Sequence, residues 1–247
     1  MAISNNHLTD GQATPFGAHS ATTSSFTPTA NRLVLVKFSI ISSFGWSFTD
    51  PTVSTTTGLN FVKVVSTPKL SGAFQQWVYR GMKPSGLSSG TVTVDLGSDY
   101  FDTMFIVVDE FGGVDTSGTD GSGAIVQSAN DGQEGGADTA SATLGSFSSA
   151  NNGTYLTGAT YDASALLTNT TYTGGFTSTS FTAAASSRRG EVTAWRSDNS
   201  TTCQVTIVTT GNRRVLACSA ELKAASAGGV KVPPIIFPPT AAGQGVA

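Results

Sequence analysis

LVLVKFSII, residues 33–41, is the stretch that decides the fold of this chain. Its period-two alternation puts four apolar side chains on one face of a strand, namely Val34, Val36, Phe38 and Ile40. The two leucines of the same stretch partly cover the opposite face. A strand of this kind is typical of a β-sandwich, so we expect the core to begin at Leu33.

Further strand-like stretches follow at short intervals, separated by turn-forming segments rich in Gly, Ser, Asp and Pro. Residues 104–108 are apolar at every position, which predicts a central strand covered on both faces. The other predicted strands are residues 61–65, 73–80, 91–96, 140–147, 154–161, 172–181, 191–195, 203–210 and 214–222. Because no helical periodicity separates them, the spacing favours an all-β, antiparallel β-sandwich of jelly-roll type.

Composition agrees with this fold class and limits the partners. Only 12% of the 247 residues are charged and 28 are Gly, which suits strands and turns better than long helices. The net charge of −3 favours neither nucleic acid nor an anionic membrane as a partner. No stretch approaches the apolar length of a membrane span, and the first residues lack a secretory pattern, so we expect synthesis in the cytoplasm without secretion.

The same patterns predict three regions. Residues 1–30 are polar and non-periodic and read as an N-terminal arm. Residues 31–224 form one β-sandwich, with a Gly-, Asp- and Ser-rich insertion loop at about 111–138. Residues 225–247 form a Pro-rich C-terminal arm in which Ile235, Ile236 and Phe237 are candidate anchors for a partner. The alternative is that this arm packs back on its own sandwich.

The two cysteines lie on the last two predicted strands, on either side of Gly211-Asn212, a plausible two-residue hairpin turn. That register would place Cys203 and Cys218 on one core-facing side as diagonal neighbours. Reduced thiols are expected in a protein made in the cytoplasm, and a disulfide is the alternative.

The sequence offers few residues from which a catalytic site could be formed. His7 and His19 are the only histidines, and both precede the predicted core. Asp109 and Glu110 are the obvious carboxylate pair, but consecutive side chains on a strand point to opposite faces and cannot flank one glycosidic bond. We therefore assign no catalytic, cofactor-binding or metal-binding residue and expect a protein that is not an enzyme.

Two weaker ligand signals remain. The acidic residues of the segment 109–131 allow a calcium site, although their spacing matches no EF-hand and a flexible acidic loop is the favoured interpretation. The segment FGWSFTDP, residues 44–51, exposes Trp46 near a turn, where its ring suits stacking on a sugar or insertion into a neighbouring protein.

Several segments together carry a resemblance to a known class of protein. They are TANRLVLV, DPTVSTTTGLNFVKV, QQWVYRGMKPSGLSSGTVTVDL, MFIVVDEFGGVD and ACSAELKAA, which span about residues 29–225. In this order they resemble tailed-bacteriophage virion proteins with a jelly-roll-like domain, found as head decoration or minor tail proteins.

The resemblance implies a non-enzymatic structural role in the virion. The leading hypothesis is a capsid decoration or cement protein that binds the major capsid protein or other virion proteins as a homo-oligomer and stabilises the shell. The alternative is a tail-associated adhesin that binds host-surface carbohydrate through Trp46, with or without calcium.

Overall fold

The stretch that opens the core forms a strand at the centre of a five-stranded sheet, as its alternation predicts. A computed structural model shows an all-β chain whose antiparallel sheets pack together. The residues described are 2–13, 17–42, 50–71, 73–136, 139–162, 170–183, 189–198, 201–207 and 213–226.

The first half of the chain contains eight strands in two sheets. They are β1 (Ser4–Ala13), β2 (Ser20–Thr22), β3 (Leu33–Ile41), β4 (Thr52–Thr55), β5 (Val62–Ser66), β6 (Gln75–Gly81), β7 (Val92–Asp95) and β8 (Thr103–Gly112). One sheet has the order β1-β8-β3-β6-β5 and the other the order β2-β7-β4. All described pairings within them are antiparallel.

The faces of β3 carry the predicted distribution of side chains. One face packs against the three-stranded sheet, where Val34, Val36 and Phe38 meet Val92 and Val94 in the first core. The leucines at the start of β3 lie in a second core on the opposite side. Strand β8 is buried along its whole length, so the predicted doubly covered strand is confirmed.

The second half begins with one turn of 3-10 helix (Ser122–Ala124) and repeats the arrangement. Its strands are β9 (Ile125–Gln133), β10 (Thr139–Ser141), β11 (Gly153–Asp162), β12 (Thr170–Tyr172), β13 (Thr177–Ala183), β14 (Arg189–Arg196), β15 (Gln204–Ile207) and β16 (Arg213–Leu222). The sheet orders are β9-β16-β11-β14-β13 and β10-β15-β12. Each strand of the first half thus has a counterpart eight strands later, and the chain is an internal structural duplication.

The two five-stranded sheets face each other and bury a common core. Strand β1 contacts β13, and the counterpart contact, β5 with β9, is also made. On the central strands Lys37 meets Glu191, while their counterparts Thr157 and Gln76 meet each other. Each of these contacts has a counterpart in which the two halves exchange roles. This is the property of an isologous, two-fold interface. The chain therefore resembles a dimer built within one polypeptide.

Two predicted regions are wrong. Residues 1–30, expected to be an arm, contain β1, which pairs with β8 over nearly its whole length, and β2. Residues 111–138, expected to be an insertion loop, contain β9, which pairs with β16 at the edge of the second five-stranded sheet. Both strands lie at sheet edges, and every residue of each is exposed or only partly buried, so neither has the apolar alternation on which a prediction depends.

The predicted final hairpin is also wrong. Strand β15 pairs with β10 and β12, whereas β16 pairs with β9 and β11, so the last two strands belong to different sheets. Residues 208–212, including the proposed turn, lie outside the described residues. Cys203 lies in the core of the second half, while Cys218 points into the core between the five-stranded sheets. Both thiols are buried and free.

Candidate functional site

The last described residues of the chain are attached to the connection between the two halves. Val114 forms a β-bridge with Ala224, and the Ala225 amide donates to the Gly113 carbonyl at 2.8 Å. The Lys223 ammonium lies 2.6 Å from Asp115 Oδ2, and this hydrogen bond lowers the pKa of Asp115 to about 2. The chain beyond residue 226 therefore starts from a point anchored to both halves.

A polar groove of about 520 Å³ lies beside this anchored segment. Its walls are the turn before β11, with Ser148, Ser149, Asn151 and Asn152, and residues 223–226. Hydroxyl and amide groups dominate the lining, and none of the described residues that form it is aromatic. Such a surface suits hydrogen bonding to an extended backbone better than stacking on a sugar.

Beneath the groove a buried carboxylate holds the turn and two strands together. Glu221 of β16 accepts a hydrogen bond from Gln127 Nε2 at 2.6 Å and from the Ser148 amide at 3.1 Å. The Asn152 side-chain amide donates to the same carboxylate. Because Glu221 is fully buried, its charge depends on these donors for compensation.

The first half contains the counterpart of this carboxylate. Glu110 of β8, only 2% exposed, accepts hydrogen bonds from the Thr29 amide and hydroxyl, both at 3.0 Å, and from Asn6 at 3.3 Å. Arg32 Nη1 lies 3.2 Å from it. In both halves a side-chain amide of the first strand and the turn before the third strand hold a glutamate of the last strand. The two carboxylates therefore act as structural clamps.

A polar cluster lies at the centre of the contact between the five-stranded sheets. Lys37 is fully buried and forms an ion pair with Glu191, which is 2% exposed. The Lys37 ammonium also donates to the Gly158 carbonyl at 3.2 Å, and the Ser39 hydroxyl donates to Glu191 Oε1. Burial lowers the pKa of Lys37 to about 7. A lysine and a carboxylate are thus held in contact away from water.

A second charged cluster joins β1 to the same contact. Asp109 is fully buried and accepts hydrogen bonds from the Tyr155 and Thr179 hydroxyls, both at 3.1 Å. His7 Nδ1 lies 2.9 Å from Asp109, and His7 Nε2 lies 3.4 Å from Asp10. Hydrogen bonds to Asp10 and then to Asp109 raise the pKa of His7 to about 10, against the opposing effect of burial. With both ring nitrogens facing carboxylates, His7 is a structural cation.

The residues predicted to bind partners are not among those that the structure describes. Trp46, Ile235, Ile236 and Phe237 all lie outside the described residues. Among the described candidates, Asp109 and Glu110 point to opposite faces of β8, as expected, since Asp109 meets Tyr155 while Glu110 meets Thr29.

The acidic residues considered for calcium do not converge. Asp115 pairs with Lys223, Asp120 accepts from Asn60 at 2.7 Å, and Asp131 accepts from the Ser141 amide at 2.7 Å. Among the residues that the structure describes, no group of three or more His, Cys, Asp or Glu side chains is placed to hold a metal ion.

Sequence reasoning missed both the clamps and the Lys37 cluster. The sequence does contain a repeated pattern at the two clamps. TANR at 29–32 and SANN at 149–152 precede the third strand of each half. DEF at 109–111 and AEL at 220–222 lie near the end of the last strand of each half. A lysine inside the apolar run 33–41 was the signal for the buried ion pair, since a lysine is fully buried only when it has a partner.

Within the described ranges there is no helix of sufficient length and hydrophobicity to cross a membrane. In comparisons with known proteins, no family model, no curated protein and no solved structure matches this chain.

Proposed function

We propose that this chain is a non-enzymatic structural protein of a virion, namely a capsid decoration or cement protein that binds the major capsid protein. The anchored start of the C-terminal segment carries the proposal. Residues 223–225 bond to the connection between the halves, so a force on residues 227–247 is shared by both sandwiches and does not act on β16 alone.

The use of the buried charges supports a scaffold. Four charged side chains each hold two or more strands or turns together through hydrogen bonds within the protein. They are Glu110, Glu221, Asp109 and His7. A body stabilised in this way suits a protein that must keep its shape while an arm makes the contacts. Apolar residues such as Ile235, Ile236 and Phe237 would supply the anchors of that arm.

We further propose that each half is a variant of the jelly roll. In a jelly roll of eight strands the two sheets have the orders 1-8-3-6 and 2-7-4-5. The orders β1-β8-β3-β6 and β2-β7-β4 agree with this scheme, and β5 departs from it by pairing with β6. The same departure recurs with β13 and β14, which supports one ancestral arrangement for both halves.

A truncation after Ser226 tests the decoration role while keeping the anchored residues 223–226 in place. We expect the truncated protein to fold, with an unchanged thermal unfolding midpoint, and to lose incorporation into assembled particles. A second truncation that removes only residues 240–247 serves as the control and retains incorporation, because it keeps the apolar anchors.

Full incorporation of the protein truncated after Ser226 would refute the hypothesis that the C-terminal arm attaches this protein to the particle. If Trp46→Ala, which keeps the whole C-terminal arm, is incorporated but its particles no longer adsorb to host cells, the alternative of a carbohydrate-binding adhesin is favoured instead.

A further inference from the structure

The pair formed by Lys37 and Glu191 differs from the other ion pairs described in this chain because both side chains are buried. Lys37 is 0% exposed and Glu191 is 2% exposed, whereas at least one side chain in each of the other pairs is 15% exposed or more. A buried ion pair is commonly no more stable than a packed apolar pair, because desolvation offsets the attraction. Burial at the contact between the two halves therefore calls for another explanation.

The two oxygens of the Glu191 carboxylate have different partners. Ser39 donates to Glu191 Oε1, while Oε2 is in contact with the Lys37 nitrogen. A hydroxyl on one oxygen polarises the carbonyl, and a nitrogen against the other oxygen lies beside the carboxyl carbon. This arrangement is that of an amine positioned for attack on an acid.

We propose that Lys37 and Glu191 condense to an isopeptide bond that links the two halves of the chain covalently. A proton passes from the Lys37 ammonium to Glu191 Oε2, which leaves a neutral amine and a neutral carboxylic acid. The amine nitrogen attacks Cδ, a second proton passes from nitrogen to the departing oxygen, and the Cδ–Oε2 bond breaks. The products are one amide and one water, so no oxidant or other reactant is needed.

The protonation state of the buried pair favours this step. Burial lowers the pKa of Lys37 to about 7, so desolvation favours the neutral, nucleophilic form of the amine. The Gly158 carbonyl, 3.2 Å from Nζ, orients the amine. The modification goes beyond the proposed virion role and does not depend on it.

Mass spectrometry of the intact, folded protein tests the proposal. We expect a mass lower than that of the sequence by one water. Trypsin should then leave residues 33–63 joined to residues 190–196 and uncut after Lys37, because acylation removes the charge that trypsin recognises. The joined peptide is decisive, since an Asp-Gly step such as Asp120-Gly121 can also lose water by closing to a succinimide.

A gel assay gives an independent measurement. A protease site inserted into the exposed segment 116–119 allows the chain to be cut between its halves. After cutting and boiling in detergent, the linked protein should run as one band, and the Lys37→Met variant should run as two. Thr157→Val alters the counterpart pair with Gln76 and should remain one band.

A full sequence mass, or a water deficit without the joined peptide, would overturn the proposal. Mass spectrometry of the wild-type protein decides between these outcomes even if Lys37→Met fails to fold.

Discussion

Replacing His7 by Gln tests whether the N-terminal strand is held to the core by a charged histidine. Hydrogen bonds to Asp10 and Asp109 raise the pKa of His7 from 6.5 to about 10. A group whose folded pKa is raised stabilises the fold fully below its unfolded pKa, and this stabilisation is lost as the pH rises through the folded pKa. The stabilisation is therefore present below about pH 6.5 and declines towards about pH 10.

The magnitude follows from the shift and from the exposure of the groups. A difference between 6.5 and about 10 corresponds to at most about 5 kcal/mol in the free energy of unfolding. His7 is 30% exposed and Asp10 is 41% exposed, so solvent screening reduces this value to about 1–2 kcal/mol.

Urea unfolding of the wild type and of His7→Gln at about pH 6, about pH 8 and about pH 10.5 measures the effect. We expect the wild type to be more stable by about 1–2 kcal/mol at the lowest pH and the difference to shrink as the pH rises. Thr9→Ala, on the same strand but outside these contacts, serves as the control and should give a constant difference. A His7→Gln difference that stays constant or grows with pH would refute the reasoning.

Two further outcomes are expected. Glu221→Ala should lower the free energy of unfolding by about 2–4 kcal/mol in urea unfolding, because Gln127, Ser148 and Asn152 lose their shared acceptor, and an unchanged stability would contradict its role as a clamp. Burial raises the pKa of Cys203 to about 11 and that of Cys218 to about 12, so a thiol reagent at neutral pH should label neither residue in the folded protein and both after unfolding without reductant. Absence of label after unfolding would indicate a disulfide instead.

The internal duplication explains why one region of each half was easier to predict than the rest. Strands β3, β8, β11 and β16 occupy the interior of the five-stranded sheets, and β3 and β8 are buried at every residue. Their apolar runs are visible in the sequence because two layers of protein cover them. Strands β1 and β9 lie at the edges, and no apolar run marks them.

The sequence alone determined the all-β class, the positions of the central strands and the divergence of Asp109 and Glu110, because these follow from a local period of two residues. It did not determine which strands pair, since pairing depends on contacts between distant residues. The Gly211-Asn212 turn signal suggested a hairpin, but β15 and β16 pair in different sheets.

Only the tertiary structure decided the partners of the buried charges. Lys37 and Glu191 are more than 150 residues apart, and Lys37 is the single charged residue of β3. The stacking of two duplicated sheets brings them together and excludes water, and that exclusion lowers the pKa of Lys37. A local pattern records which residues are apolar, whereas the environment of a charge depends on what packs against it from the rest of the chain.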